Sequence, residues 1–69
     1  MGNGLTGKQI RKVWFGKDGA EAIECNNETT LEILNEFHGE YDIDWIIVKT
    51  NGVEKTRINT KYVETIEWV

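Results

Sequence analysis

The sequence predicts an α+β fold: a single small domain in ββαβββ order, with one amphipathic helix packed on a curved antiparallel sheet that could roll toward a barrel. Three observations predict it. Asn51-Gly52 stands between two β-rich runs, the strongest short-range signal of a hairpin. Gly16-Lys17-Asp18-Gly19 separates two further short runs of β-formers. Between the hairpins, Thr29 precedes Glu32 in the form of a capping box and Gly39 stands where a helix C′ glycine belongs.

Residues 1–8 hold three glycines and one large apolar side chain, Leu5, and are expected to form a flexible arm ahead of one domain at 9–69. Ile10 to Phe15 and Ala20 to Cys25 are the first two strands. Val13 and Phe15 on one, with Ile23 and Cys25 on the other, mark an apolar face at period two. The helix is placed at about Thr30 to His38, with Leu31, Ile33, Leu34 and Phe37 on its apolar side and Glu28, Glu32, Glu36 along another. Asn27 is a rival cap one turn earlier. Ile43 to Thr50 and Val53 to Ile58 form the second hairpin. A two-residue loop would pair Thr50 with Val53, Lys49 with Glu54, Val48 with Lys55, Ile47 with Thr56, Ile46 with Arg57 and Trp45 with Ile58. Asn59-Thr60 turns into a last strand, Tyr62 to Trp68, with Tyr62, Ile66 and Trp68 on one face.

The third strand raises a difficulty, because Trp45 and Ile47 face one side and Ile46 and Val48 the other. One short helix covers one side of a sheet. The other side must curl into a small barrel or meet another subunit, so Ile46 and Val48 are expected at an oligomer interface.

Charge is distributed unevenly along the chain. None of its eight Lys and Arg lies between Asp18 and Val48, whereas nine of its twelve Asp and Glu do, giving that block −9 and the flanks +5. Glu28, Glu32, Glu36 and Glu40 recur every fourth residue, and on a helix each like-charge step costs about 0.2–0.5 kcal/mol. Something must offset that cost. The stripe is either a solvated face, paired internally with Lys12, Lys55 or Arg57, or a surface held against a basic partner, where long-range attraction speeds encounter. Carboxylates one helical turn apart could also imitate a phosphate ladder, while direct binding of nucleic acid is disfavoured.

A chain of 69 residues buries only about 60 % of the surface its unfolded form exposes, and an ordinary active-site cleft fits poorly within it. One cysteine excludes an internal disulfide, and Cys25 with the lone His38 cannot complete a four-ligand zinc site. Oligomerisation is the remaining source of stability. No apolar leader or long apolar run is present, so cytoplasmic residence without membrane contact is expected. Gly2-Asn3-Gly4-Leu5-Thr6-Gly7-Lys8-Gln9 nearly matches a phosphate-binding loop, but Gln9 replaces the required hydroxyl and no strand precedes it. Asp42-x-Asp44 lacks the glycine and distal glutamate of a calcium loop.

In size, acidity and lack of catalytic residues the chain resembles the small accessory proteins that phages and mobile elements direct against host machinery, a resemblance of composition that covers no motif. The expected function is a non-catalytic binding or inhibitor protein, without cofactor, docking its acidic helix on a basic protein surface through Glu28, Glu32, Glu36, Glu40 and Asp42. The alternative is a homo-oligomer that sequesters a small anionic ligand, such as a nucleotide signal, between subunits with Arg11, Trp14, Lys55, Arg57 and Trp68, part of a wider set in which Arg11, Lys12, Lys55, Arg57 and Lys61 are interleaved with the stackable rings of Trp14, Trp45, Tyr62 and Trp68.

Overall fold

The segment Thr29–Phe37 is a strand rather than a helix, and this difference converts the expected α+β fold into a curled antiparallel half-barrel that is nearly all sheet. The computed structural model describes residues 8–69 as β1 (Gln9–Phe15), a 3-10 turn at Lys17–Gly19, β2 (Glu21–Glu24), β3 (Thr29–Phe37), β4 (Asp42–Thr50), β5 (Val53–Asn59), a 3-10 turn at Thr60–Tyr62 and β6 (Val63–Trp68). The expected arm, apart from Lys8, and most of the near-match to a phosphate loop lie outside the described residues.

The helix expectation failed because two periods coexist in one segment. Leu31 with Leu34 and Ile33 with Phe37 fit a helical face, yet Leu31 and Ile33 also alternate with Thr30, Glu32, Leu34 and Glu36. Pairing decides between them. All nine residues of β3 pair with β4, and its Leu31 and Glu32 also pair with β1. A strand also removes the like-charge penalty, because β4 brings Lys49 beside Glu32. Turn chemistry stands at both ends of this strand, supplied before it by Asn26 rather than by Asn27 or Thr29 and after it by Gly39. The backbone N–H groups of Glu28 and Thr29 donate to Asn26 Oδ1 at 2.8 and 2.9 Å, and Gly39 supplies a φ of 82° between β3 and β4.

The strands run in the order β2-β1-β3-β4-β5, with β6 on the far edge of β1. Two strands share the near edge of β1: Gln9 and Ile10 pair with β3, whereas Lys12 to Phe15 pair with β2. The sheet curls around Ile10, Val13, Leu31, Ile33, Ile46 and Val48, and Phe15, Ile23, Ile58, Val63, Ile66 and Trp68 pack against them. Ile46 is 0 % and Val48 6 % exposed, so these two belong to the core and offer no surface to another subunit. Curling therefore settles the question of the uncovered face.

Three bulges make the curl possible. Arg11, Lys55 and Glu64 are each an extra residue on one strand, and each reverses the alternation that follows it. Thus Ile10 and Val13, three apart, face one core, as do Val63 and Ile66. The Asn51-Gly52 turn has φ of 52° and 79°, as a type I′ hairpin requires, and the pairs Thr50↔Val53 and Lys49↔Glu54 match the expected register. Beyond Lys55 every expected pair is displaced by one. Ile47 pairs with Arg57, Ile46 with Ile58 and Trp45 with Asn59. The displacement turns Arg57 out of the core and Ile58 into it.

Because Ile46 sits at the centre of the core, Ile46→Ala is expected to lower stability by about 2–5 kcal/mol and Ile46→Val by about 0.5–1.5 kcal/mol, read from urea unfolding followed by tryptophan fluorescence. Deletion of Lys55 removes the bulge without altering the pairing of Arg57 with Ile47. That variant is expected to fold with the Trp45 indole proton still hydrogen bonded, as amide exchange by NMR would show.

Candidate binding groove

On the outer face of β3, β4 and β5 the acidic block meets the cations of the flank. Lys49 Nζ lies 2.9 Å from Glu32 Oε1, and Arg57 binds Glu54 through Nε at 2.8 Å and Nη2 at 3.2 Å. Glu36 gathers the most partners. It accepts from His38 Nε2 at 2.9 Å and Trp45 Nε1 at 3.2 Å, and Arg57 Nη1 lies 3.6 Å away. Exposed pairs of this kind contribute little individually, but Glu32 and Arg57 flank Ile47 on its two neighbouring strands. Their aliphatic stems explain how Ile47, outside the core cluster, is only 3 % exposed.

The expected acidic stripe is therefore dispersed. Glu32 and Glu36 are neutralised on the sheet, while Glu28 and Glu40 lie beyond opposite ends of a strand about 30 Å long. Asp42 begins β4 and, like Glu28 and Glu40, has no ion-pair partner among the described residues. The expected anion-binding set is dispersed as well. Arg11 is paired with Glu24 and Glu67. Trp14 and Trp68 lie near opposite ends of the β1–β6 ladder, and Trp14 stands beside the carboxylates of Asp18 and Glu64 with Lys12 Nζ 4.8 Å from its ring centre. Lys55 occupies the β5 bulge, and of this set Arg57 alone reaches the groove described next.

That groove lies where the half-barrel stays open, between the end of β5 and the start of β6. Its volume is about 480 Å³ and its lining is mainly apolar: Phe15, Trp45, Ile58 and Tyr62, with Arg57 and Lys61 as cations. Each wall has a local cause. Asn59 Oδ1 accepts from the Lys61 backbone N–H at 3.0 Å and so starts the 3-10 turn that presents Lys61 and Tyr62. Gly16 N–H donates to Tyr62 O at 3.3 Å, tying that turn to the end of β1, and its φ of 81° suits glycine. The Lys55 bulge aims Arg57 outward, with its guanidinium carbon 5.9 Å from the Trp45 ring centre. Lys61 Nζ lies 5.0 Å from the Tyr62 ring, and Tyr62 is 62 % exposed.

Chemically the groove can adsorb an apolar or aromatic side chain and attract negative charge. Arg57 is already held by Glu54 and Glu36, whereas Lys61 has no carboxylate partner among the described residues. No group of three metal-ligating side chains occurs among the described residues, and no helix there is long and apolar enough to cross a membrane. Lys61, Tyr62 and Trp45 belong to the wider set of interleaved cations and rings that the sequence offers, whereas Phe15 was expected only as a core residue. No protein-family model, curated protein or solved structure matches the chain.

Hydrogen bonds from His38 and then Trp45 hold the Glu36 carboxyl below its ordinary value of 4.5, aided by the charges of His38 and Arg57 and opposed by burial. Its hydrogen bond with Arg57 likewise lowers the Glu54 carboxyl, and that with Glu32 raises Lys49. Because the folded Glu36 ionises more readily than the unfolded one, its stabilisation is present above about pH 4.5 and is lost as the pH falls through the lower folded value. Urea midpoints measured from neutral into acid are expected to fall further for the native chain than for Glu36→Gln.

Proposed function

We propose that this chain is a non-catalytic binding protein that captures a carboxylate-bearing segment of another protein in the groove between Trp45 and Tyr62. The observation that carries the reading is an exposed aromatic side chain, Tyr62, standing at the mouth of an apolar groove beside Lys61, which has no carboxylate partner among the described residues. Contiguous apolar surface rimmed by charge is what interaction sites share. Tyrosine, tryptophan and arginine are also the residues that dominate binding energy where they anchor in a pocket.

The reading reverses the polarity expected from the charge block. The carboxylates at its centre are satisfied by neighbouring strands, and the concave aromatic surface has a cationic rim within a chain of net charge −4. A phosphate-rich small molecule fits less well. It would need several unoccupied cations converging on one point, and here Arg57 is already shared between two carboxylates.

The test is a titration with an acetylated Asp-Glu-Tyr-Asp-Glu peptide, followed through the Trp45 indole and the Lys61 and Tyr62 amides by NMR. These signals are expected to move together, to move at least tenfold more weakly in Lys61→Glu or Tyr62→Ala, and to ignore a lysine-substituted peptide. Signals that stay fixed at millimolar peptide would refute the reading.

A further inference from the structure

Among the described residues three large aromatic side chains are highly exposed: Tyr62 at 62 %, Tyr41 at 59 % and Phe37 at 55 %. They are not scattered. Tyr62 belongs to the groove, and the other two flank the turn between β3 and β4. That turn continues the strand bearing Trp45, and Asp42 precedes this groove residue by three positions, about 10 Å along the chain. Tyr41 stacks on His38, whose Nε2 meets the same Glu36 carboxylate oxygen as the Trp45 indole, so this ring, unlike Phe37, stands on the surface that carries the groove.

Their charges are opposite. Glu40 and Asp42 in the turn make no ion pair among the described residues, and Arg57 and Lys61 line the groove. The turn is also set in shape before any contact. His38 N–H donates to Tyr41 O at 2.8 Å, Glu40 N–H to His38 O at 3.0 Å, and the His38 and Tyr41 rings stack with centres 5.4 Å apart. Little ordering entropy remains to be lost when such a turn is bound.

We infer that two copies of this chain pair about a two-fold axis, with the turn at residues 37–42 of each copy seated in the Trp45–Tyr62 groove of the other. A patch that holds a key and its lock next to each other is self-complementary under a two-fold rotation, and that geometry closes at two copies. Tyr41 enters between Tyr62 and Trp45, and the acidic turn comes to face Lys61, the groove cation with no carboxylate partner among the described residues. The inference rests on the groove reading above and names its occupant.

Charge exchange tests it. Sedimentation of the native chain between micromolar and millimolar concentration is expected to show a monomer–dimer equilibrium. Lys61→Glu alone and Glu40→Lys with Asp42→Lys alone place like charges in both contacts of a symmetric pair, and each variant is expected to dimerise at least tenfold more weakly. Mixed one to one, they restore opposite charges in both contacts and recover the dimer. A native chain of single-chain mass at millimolar concentration, or a dimer indifferent to these exchanges, would overturn the inference. A synthetic peptide spanning residues 36–42, added to the variant with the reversed turn, separates the two claims. Binding of this peptide at Trp45 is expected; if it binds while the native chain keeps a single-chain mass, the groove reading stands and the second copy is removed, whereas no binding removes both.

Discussion

A sheet with no helix to lie against has to bury its apolar face against itself, and the remainder of this structure depends on how that is done. The seam is β1, paired along one edge with β6 and divided along the other between β2 and β3. Sharing an edge forces the neighbouring strands apart in direction and brings Ile10 and Val13 against Leu31, Ile33 and Ile46. Curvature on this scale needs local breaks in the ladder. The three bulge residues, Arg11, Lys55 and Glu64, are all charged and all exposed, so the sheet bends at points that can face water.

The same bulges explain what the sequence shows and what it conceals. Both hairpins are legible, because Asn51-Gly52 and the Gly16 to Gly19 turn are local chemistry. Register beyond Lys55 is not, since a bulge is a non-local compromise between curvature and pairing. A charged residue at the point where period-two alternation breaks is its only trace. The central segment misleads for a different reason. Leu31 and Ile33 satisfy both the helical and the strand pattern, and the choice between them is made by β1 and β4, at a distance along the chain. Of the groove, Trp45 and Arg57 are recognisable as a ring and a cation, but only the displaced register puts them on one side.

Charge segregated along the sequence becomes charge interleaved in space. The cation-free stretch from Asp18 to Val48 includes β3, and the hairpin that follows returns Lys49 and Arg57 across its outer face. Lys49 thereby meets Glu32, and Arg57 meets Glu36, without any cation being needed within the acidic block itself. These pairs are exposed and individually weak, yet they lie over Ile47, the apolar residue on the face that curling does not enclose. The ionic network thus does on the outer face what the bulges do on the inner one.

What neither device covers is the opening between β5 and β6. Closing it would require the two strands to pair, but the short turn at Thr60–Tyr62 joins them without a ladder. Phe15 and Ile58 at that opening pack against the core while also lining the groove. Tyr62 is left facing water, and the cations nearest it come from the same turn and the same displaced strand. The groove is therefore a consequence of incomplete closure: β5 and β6 do not pair, and the gap between them is where apolar area and positive charge are left together.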